Sequence, residues 1–188
     1  SAQTIIDLEQ CLDIFLTICE AIEHAHSKGI IHLDLKPENI QLESFSEIVV
    51  CDWGMGQKIS DSEMSSLKEF SDFSEATEST IGGTPGFMAP EQIRQDETPA
   101  EGADIYGLGA LLYYLICGER CHEGKSAEEL VKSTLENTPR ELRERFPNLK
   151  IPKTLDRIIQ RCLQLKVCDR YQSVSVIIDD LRSFLKQR

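Results

Sequence analysis

Long apolar runs are missing from this chain of 188 residues, and that excludes a membrane-crossing helix, which needs about 18 or more. No stretch reads as a signal peptide, with a basic start and an apolar middle. No C-x-x-C pair occurs. The seven cysteines, at 11, 19, 51, 117, 121, 162 and 168, are odd in number and match no zinc-site spacing, Cys117, Cys121 and His122 included. Basic residues are scarce, with 20 Lys and Arg against 32 Asp and Glu. A net charge of −12 disfavours nucleic acid and anionic membranes as partners. The excess acid reads as a solvated surface; an acidic groove for basic peptides is the sharper alternative. No internal repeat or linker breaks the chain, so residues 1–188 read as one unit.

What is present is ordinary globular composition, 40% hydrophobic and 28% charged, enough for one core. Leu8, Leu12, Phe15, Cys19 and Ile22 recur at steps of three and four and predict one amphipathic helix, ended by Gly29. His24 and His26 near its end read as solvated residues or partners of the helix dipole. Cys11, Cys19, Cys117 and Cys162 lie on helical patterns as small buried hydrophobes, which fits a reducing cytoplasm.

Ile40-Gln41-Leu42 and Ile48-Val49-Val50-Cys51 predict two short strands in a hairpin. Ile105, Leu108, Leu111, Leu112, Leu115 and Ile116 are apolar on more than one face and predict a helix buried all round. Ser126 with Glu129 forms a capping box, and Thr138-Pro139-Arg140-Glu141 repeats the signal with proline at the first helical position. Leu155, Ile158, Ile159, Cys162 and Leu163 predict a further helix. Ser173 is expected to cap the last one, which carries Val176, Ile177, Leu181 and Leu185. Between Ser60 and Thr80 lie seven serines, two threonines and six acids, a composition expected of a surface loop.

The chemistry concentrates in His32-Leu33-Asp34-Leu35-Lys36-Pro37-Glu38-Asn39. This run sets a carboxylate, an ammonium and a carboxamide on one loop between a helix and a strand. Asp34 is suited to accept or orient a hydroxyl proton, Lys36 to neutralise a transferring phosphate, and Asn39 to ligate magnesium. The hairpin brings Asp52 near Asn39 as a second oxygen ligand.

The run resembles the catalytic loop of protein kinases, H-R-D-L-x-x-x-N, with Leu33 where that family has arginine, a non-RD pattern. Further motifs follow in the family's order. Asp52-Trp53-Gly54 resembles D-F-G. Gly83-Thr84-Pro85 resembles the substrate loop, Ala89-Pro90-Glu91 the A-P-E that closes the activation loop, and Asp104 and Gly109 the buried helix beyond. Asp169-Arg170-Tyr171 matches the late arginine that pairs with the glutamate of A-P-E, here Glu91.

The resemblance implies a mainly α fold, a kinase-like carboxyl-terminal lobe in which a helical bundle carries a short β-hairpin beside the catalytic loop. It implies ATP and magnesium, with Asp34, Lys36 and Asn39 catalytic and Asn39 and Asp52 holding metal. His32, Glu91, Asp104 and Arg170 are structural. Lys36 and Thr84 resemble the serine/threonine class. Ser71, Ser74, Thr77, Ser79 and Thr80 are candidate phosphosites, and Leu33 removes the usual guanidinium that would receive such a phosphate.

Kinase chemistry also needs a Gly-rich loop and a strand lysine, and residues 1–31 before His32 hold neither. The amino-terminal lobe is therefore expected to be absent from these residues. The exposed face would favour self-association, and the chain alone would bind ATP–magnesium weakly without turnover. Two readings stand: a piece of an active serine/threonine kinase acting on protein substrates, or a kinase-like scaffold or regulatory module. A small-molecule phosphotransferase is disfavoured by Ala89-Pro90-Glu91.

Overall fold

The apolar stripe at the start of the chain becomes helix α1, Leu8–Ser27, in the computed structural model, which describes residues 8–42, 47–55, 57–58, 83–95 and 100–187. Leu12, Phe15, Ile18, Cys19 and Ile22 are fully buried, so the stripe is the inner face. Gly29 ends the helix at φ 71, with its N–H bonded to the His26 carbonyl at 2.8 Å. A left-handed residue costs glycine little, because it has no Cβ to clash.

Strand β1, Ile30–Ile31, leads into the loop from His32 to Asn39, and β2, Ile40–Leu42, leads out of it. β2 pairs antiparallel with β3, Ile48–Val50, in the register Ile40↔Val50 and Leu42↔Ile48. The expected hairpin is therefore present, one residue shorter at Cys51. A second two-stranded sheet was not expected: β4, Gln57–Lys58, pairs antiparallel with β1, Ile31 opposite Gln57. Two-residue strands are too short for a period-two signal, so the pairing is set by the chain returning past the loop. Leu42 and Val49 of the hairpin and Ile30 of β1 are exposed apolar residues.

Helix α2, Pro90–Arg94, follows the A-P-E residues. Helix α3, Glu101–Cys117, is buried at every position from Gly102 to Tyr113, as an all-round apolar helix must be. It packs against α1 and against α6, Lys153–Cys162. The approach to α6 depends on Gly109, where an added Cβ would stand 2.5 Å from the Cys162 Cβ. Helix α7, Val174–Lys186, closes the bundle against α1 and α6.

Helix α4, Ala127–Glu136, starts as its capping box requires: Ser126 Oγ accepts the Glu129 N–H at 3.2 Å. The Glu129 carboxylate reaches back one residue further, to the Lys125 N–H at 2.6 Å.

Two expected helix starts differ. No helix begins at Pro139; α5, Leu142–Arg145, begins three residues later, and the Leu142 and Arg143 N–H groups donate to the buried Asp156 carboxylate of α6 at 3.1 and 3.2 Å. Pro139 is buried instead, and a distant carboxylate replaces the local cap. Ser173 occupies the cap position of α7 but bonds Ser175 Oγ, and the Ser175 N–H goes to Glu23 of α1. Val176, expected inside, is exposed; Val174, Ile177, Ile178, Leu181 and Phe184 form the inner face.

Of the cysteines, Cys11, Cys19, Cys121 and Cys162 are buried, while Cys117 is only partly so. Burial pushes the thiols of Cys121 and Cys162 up to about 12, which keeps them protonated and inert.

Candidate functional site

The site begins with a backbone clamp. Asp104, in the first turn of α3, is only 1% exposed. One carboxylate oxygen accepts the His32 N–H at 2.7 Å and the other the Leu33 N–H at 2.7 Å. His26 of α1 adds its Nε2 to Asp104 at 2.8 Å. A buried carboxylate is tolerated when its oxygens are satisfied in this way. His26 is therefore neither solvated nor merely at a helix end: it is buried, and it joins α1 to α3 behind the loop. The sequence held a sign of this. His26 lies four residues after Ile22 and so continues the buried stripe of α1.

The clamp fixes Leu33 at φ 67 with its side chain 6% exposed, inside the core. A positive φ is unfavourable for a branched residue and persists only where the surroundings enforce it. Here Asp104 holds the Leu33 N–H, and Gln92 of α2 donates to its carbonyl at 2.8 Å. Gln92 also accepts the Ala89 N–H at 3.0 Å, so one amide ties the A-P-E helix to the loop from His32 to Asn39. No sequence motif singled it out.

His32 sits at the centre of the bend and is completely buried. Its Nδ1 accepts the Asp34 N–H at 3.2 Å, which places the ring proton on Nε2, where it is donated to the Cys51 carbonyl at 3.1 Å. The loop and the segment carrying Asp52 are joined through this one ring. Trp53 packs on it, ring centroids 4.6 Å apart, and donates its indole N–H to the Val50 carbonyl at 2.9 Å.

Asp34, Lys36, Asn39 and Thr84 converge on the front of the loop. Lys36 Nζ lies 2.6 Å from Asp34 Oδ2 and 2.9 Å from Thr84 Oγ1. Thr84 donates to Asp34 Oδ1 at 3.3 Å. Asn39 donates from Nδ2 to the Asp34 carbonyl at 2.8 Å and to Asp34 Oδ2 at 3.2 Å. Three consequences follow. Lys36 keeps one N–H without a partner among the described residues, open to a further acceptor. Among the described residues, Asp34 Oδ1 carries only the long bond from Thr84 and is the less occupied oxygen. Asn39, with its N–H groups turned to Asp34, presents Oδ1 to other ligands.

Asp52 stands at φ 60, exposed, and no basic side chain pairs with it among the described residues. The Cys51 N–H bonds the Asn39 carbonyl at 2.8 Å, which holds the two segments together. Gly54 leaves room for the carboxylate: a Cβ there would lie 3.2 Å from Asp52 Oδ1. Two hard oxygen donors, Asn39 Oδ1 and the Asp52 carboxylate, suit magnesium, which takes few protein ligands and fills its shell with water and phosphate. No group of three or more metal-binding side chains lies together among the described residues. His122 is engaged by Tyr106 OH at 2.7 Å and Ser133 Oγ at 3.1 Å, and burial pushes its pKa down to about 4.

The segment after Gly83 forms a turn: the Phe87 N–H bonds the Thr84 carbonyl at 3.1 Å, with Pro85 second and Gly86 third at φ 95. Proline followed by a positive-φ glycine is the signature of a type II turn. Gly83 precedes it at φ 127. Behind this segment Glu91 meets Arg170 in a bidentate pair at 2.6 and 2.8 Å. Arg170, 1% exposed, also donates to the carbonyls of Gly102, Gln164 and Leu165. The candidate phosphosites Ser71, Ser74, Thr77, Ser79 and Thr80 lie outside the described residues.

Comparisons with known proteins agree with this geometry. The family described as Protein kinase domain matches residues 1–180. The serine/threonine-protein kinase PknD of Chlamydia caviae is 36% identical over 182 residues, covering 93% of this chain and 19% of that protein. PknD of Protochlamydia amoebophila is 33% identical, covering 93% and 18%, and PknD of Chlamydia trachomatis 31%, covering 93% and 20%. The chain thus spans about a fifth of the length of the curated relatives it matches. With a family match that runs nearly from end to end, and with the loop, clamp and ion pair in place, this chain belongs to the protein kinase family.

Proposed function

We propose that this lobe serves a serine/threonine protein kinase, which transfers the γ-phosphoryl group of ATP to a hydroxyl of a protein substrate. The observation that carries the reading is the convergence of Lys36, Asn39 and Thr84 on the Asp34 carboxylate. Asp34 Oδ1 receives the acceptor hydroxyl, orients it and takes its proton. Thr84 fixes the carboxylate from the substrate side. Lys36 directs its free N–H to a phosphoryl oxygen while its other two bonds prevent rotation away. Asn39 and Asp52 would hold magnesium, which would supply charge neutralisation for the transferring phosphate. His32 and Asp104 touch no substrate in this account; they position the loop.

The test is ATP-dependent phosphorylation of protein serine and threonine by the full-length protein and by D34N. A general base typically contributes about 10²–10⁴-fold. A loss of that size with unchanged melting temperature is the expected result. Undiminished transfer by D34N would refute the assignment. Turnover absent from the wild type under all conditions would favour the scaffold alternative.

A further inference from the structure

Beside Thr84 the surface dips into a pocket of about 220 Å³, lined among others by Pro85, Arg120, Lys125, Ser126 and Leu130. Its lining holds two cations and no carboxylate, in a chain whose net charge is −12. Both cations are exposed, and neither is in an ion pair among the described residues. Two of the neighbouring acids are engaged by Arg145, Glu119 at 2.6 Å and Glu123 at 3.3 Å, and a third, Glu129, is turned to the Lys125 backbone N–H.

Arg120 is held in place on both sides. Arg145 donates to its carbonyl at 2.7 Å. Its Cδ lies 2.8 Å from where a Cβ on Gly86 would stand, so the side chain runs across the turn that carries Thr84 and Pro85. Only glycine, at φ 95, permits that approach. The pocket joins the reacting centre directly, because Thr84 Oγ1 is 3.3 Å from Asp34 Oδ1.

We propose that Arg120 and Lys125 read an acidic side chain flanking the serine or threonine hydroxyl presented to Asp34. The inference rests on the phosphotransfer reading above and narrows its substrate class to acidic peptides. It runs against the net charge of the molecule, which by itself would suggest basic ones. The chain's own sequence contains the matching chemistry: in Ser71-Asp72, Ser74-Glu75 and Thr77-Glu78 a hydroxyl is followed directly by an acid.

Two fluorescent peptides test it on the full-length protein: residues 69–79, and the same peptide with lysine replacing Asp72, Glu75 and Glu78. Fluorescence anisotropy reads binding without turnover. The acidic peptide is expected to bind about five- to tenfold more tightly, the range for a pair of exposed ionic contacts. The preference weakens as salt screens exposed charges. It is lost or reversed in R120E/K125E. It survives in K153E/K166E, which changes net charge equally at exposed positions outside the pocket. Equal binding of the two peptides, or a preference that survives R120E/K125E, overturns the inference. Phosphotransfer is scored separately: an acidic preference without transfer by the wild type would remove the activity reading and leave the binding inference standing.

Discussion

The back and the front of one loop are built in opposite ways. At the back, His32 and Leu33 are buried, and their N–H groups are taken by a carboxylate that also holds His26. At the front, Asp34, Lys36, Asn39 and Asp52 keep bonding capacity in reserve: one carboxylate oxygen, one ammonium proton, one amide oxygen and one exposed carboxylate. The back derives its value from satisfying the buried N–H groups of the loop and the Asp104 carboxylate, since a buried polar group without a partner costs about 1–3 kcal/mol. His26 Nδ1, by contrast, has no hydrogen-bond partner among the described residues. The front derives its value from incomplete satisfaction, since a group with every bond occupied has none left for a substrate. Changes behind the loop are therefore expected to lower stability, and changes in front to lower activity at constant stability.

The sharpest way to break that comparison is the pairing of D34N with E91Q. D34N is expected to reduce turnover about 10²–10⁴-fold and leave the melting temperature in place. E91Q leaves the buried Arg170 guanidinium without its bidentate partner. Breaking such a pair typically costs about 3–5 kcal/mol, to be read from urea unfolding of the purified protein. If E91Q unfolds like the wild type, the segment behind the Thr84 turn is not held by the Glu91–Arg170 pair as described.

A smaller effect comes from His122, buried and shifted down to about 4 from its ordinary 6.5. The unfolded chain takes up a proton below about 6.5, whereas the folded one resists until about 4, so the unfolded state binds more protons in that window. Stability contributed by neutral His122 is complete above about 6.5 and declines as pH falls. The expected loss is about 2 kcal/mol between pH 7 and pH 5, measured by denaturant titration at both values, and H122F should flatten the dependence.

The smallest effect is expected of R182A. Arg182 joins Glu20 at 2.6 Å, but both side chains are 52% exposed. Water and salt screen such a pair, so its loss is expected to change stability by less than about 1 kcal/mol. A larger change would mean that α1 and α7 rely on that contact more than on their apolar faces.

The helices were legible because each buries a face that repeats every three or four residues: α1 through Leu12, Phe15 and Cys19, and α6 through Leu155, Ile158 and Ile159. The hairpin was legible from its β-branched run, and α4 from Ser126 and Glu129. The start of α5 was not, because its N–H groups are satisfied by Asp156, 14 residues from Leu142. The Ser173 cap failed likewise, Glu23 having taken the neighbouring N–H from across the bundle. The roles of His26 and Gln92 were hidden for the same reason: their partners lie 78 and 59 residues away.

The sequence by itself determined the periods of the helices, the order of the motifs, and which residue types lie within a few positions of Asp34. Tertiary structure alone decided which charges are spent and which remain available. Glu119 and Glu123 share Arg145 while Arg120 and Lys125, in the same stretch, have no ion-pair partner among the described residues. The physical reason is that local periodicity follows from backbone geometry over a few residues. Pairing, burial and desolvation depend on groups brought together from across the chain.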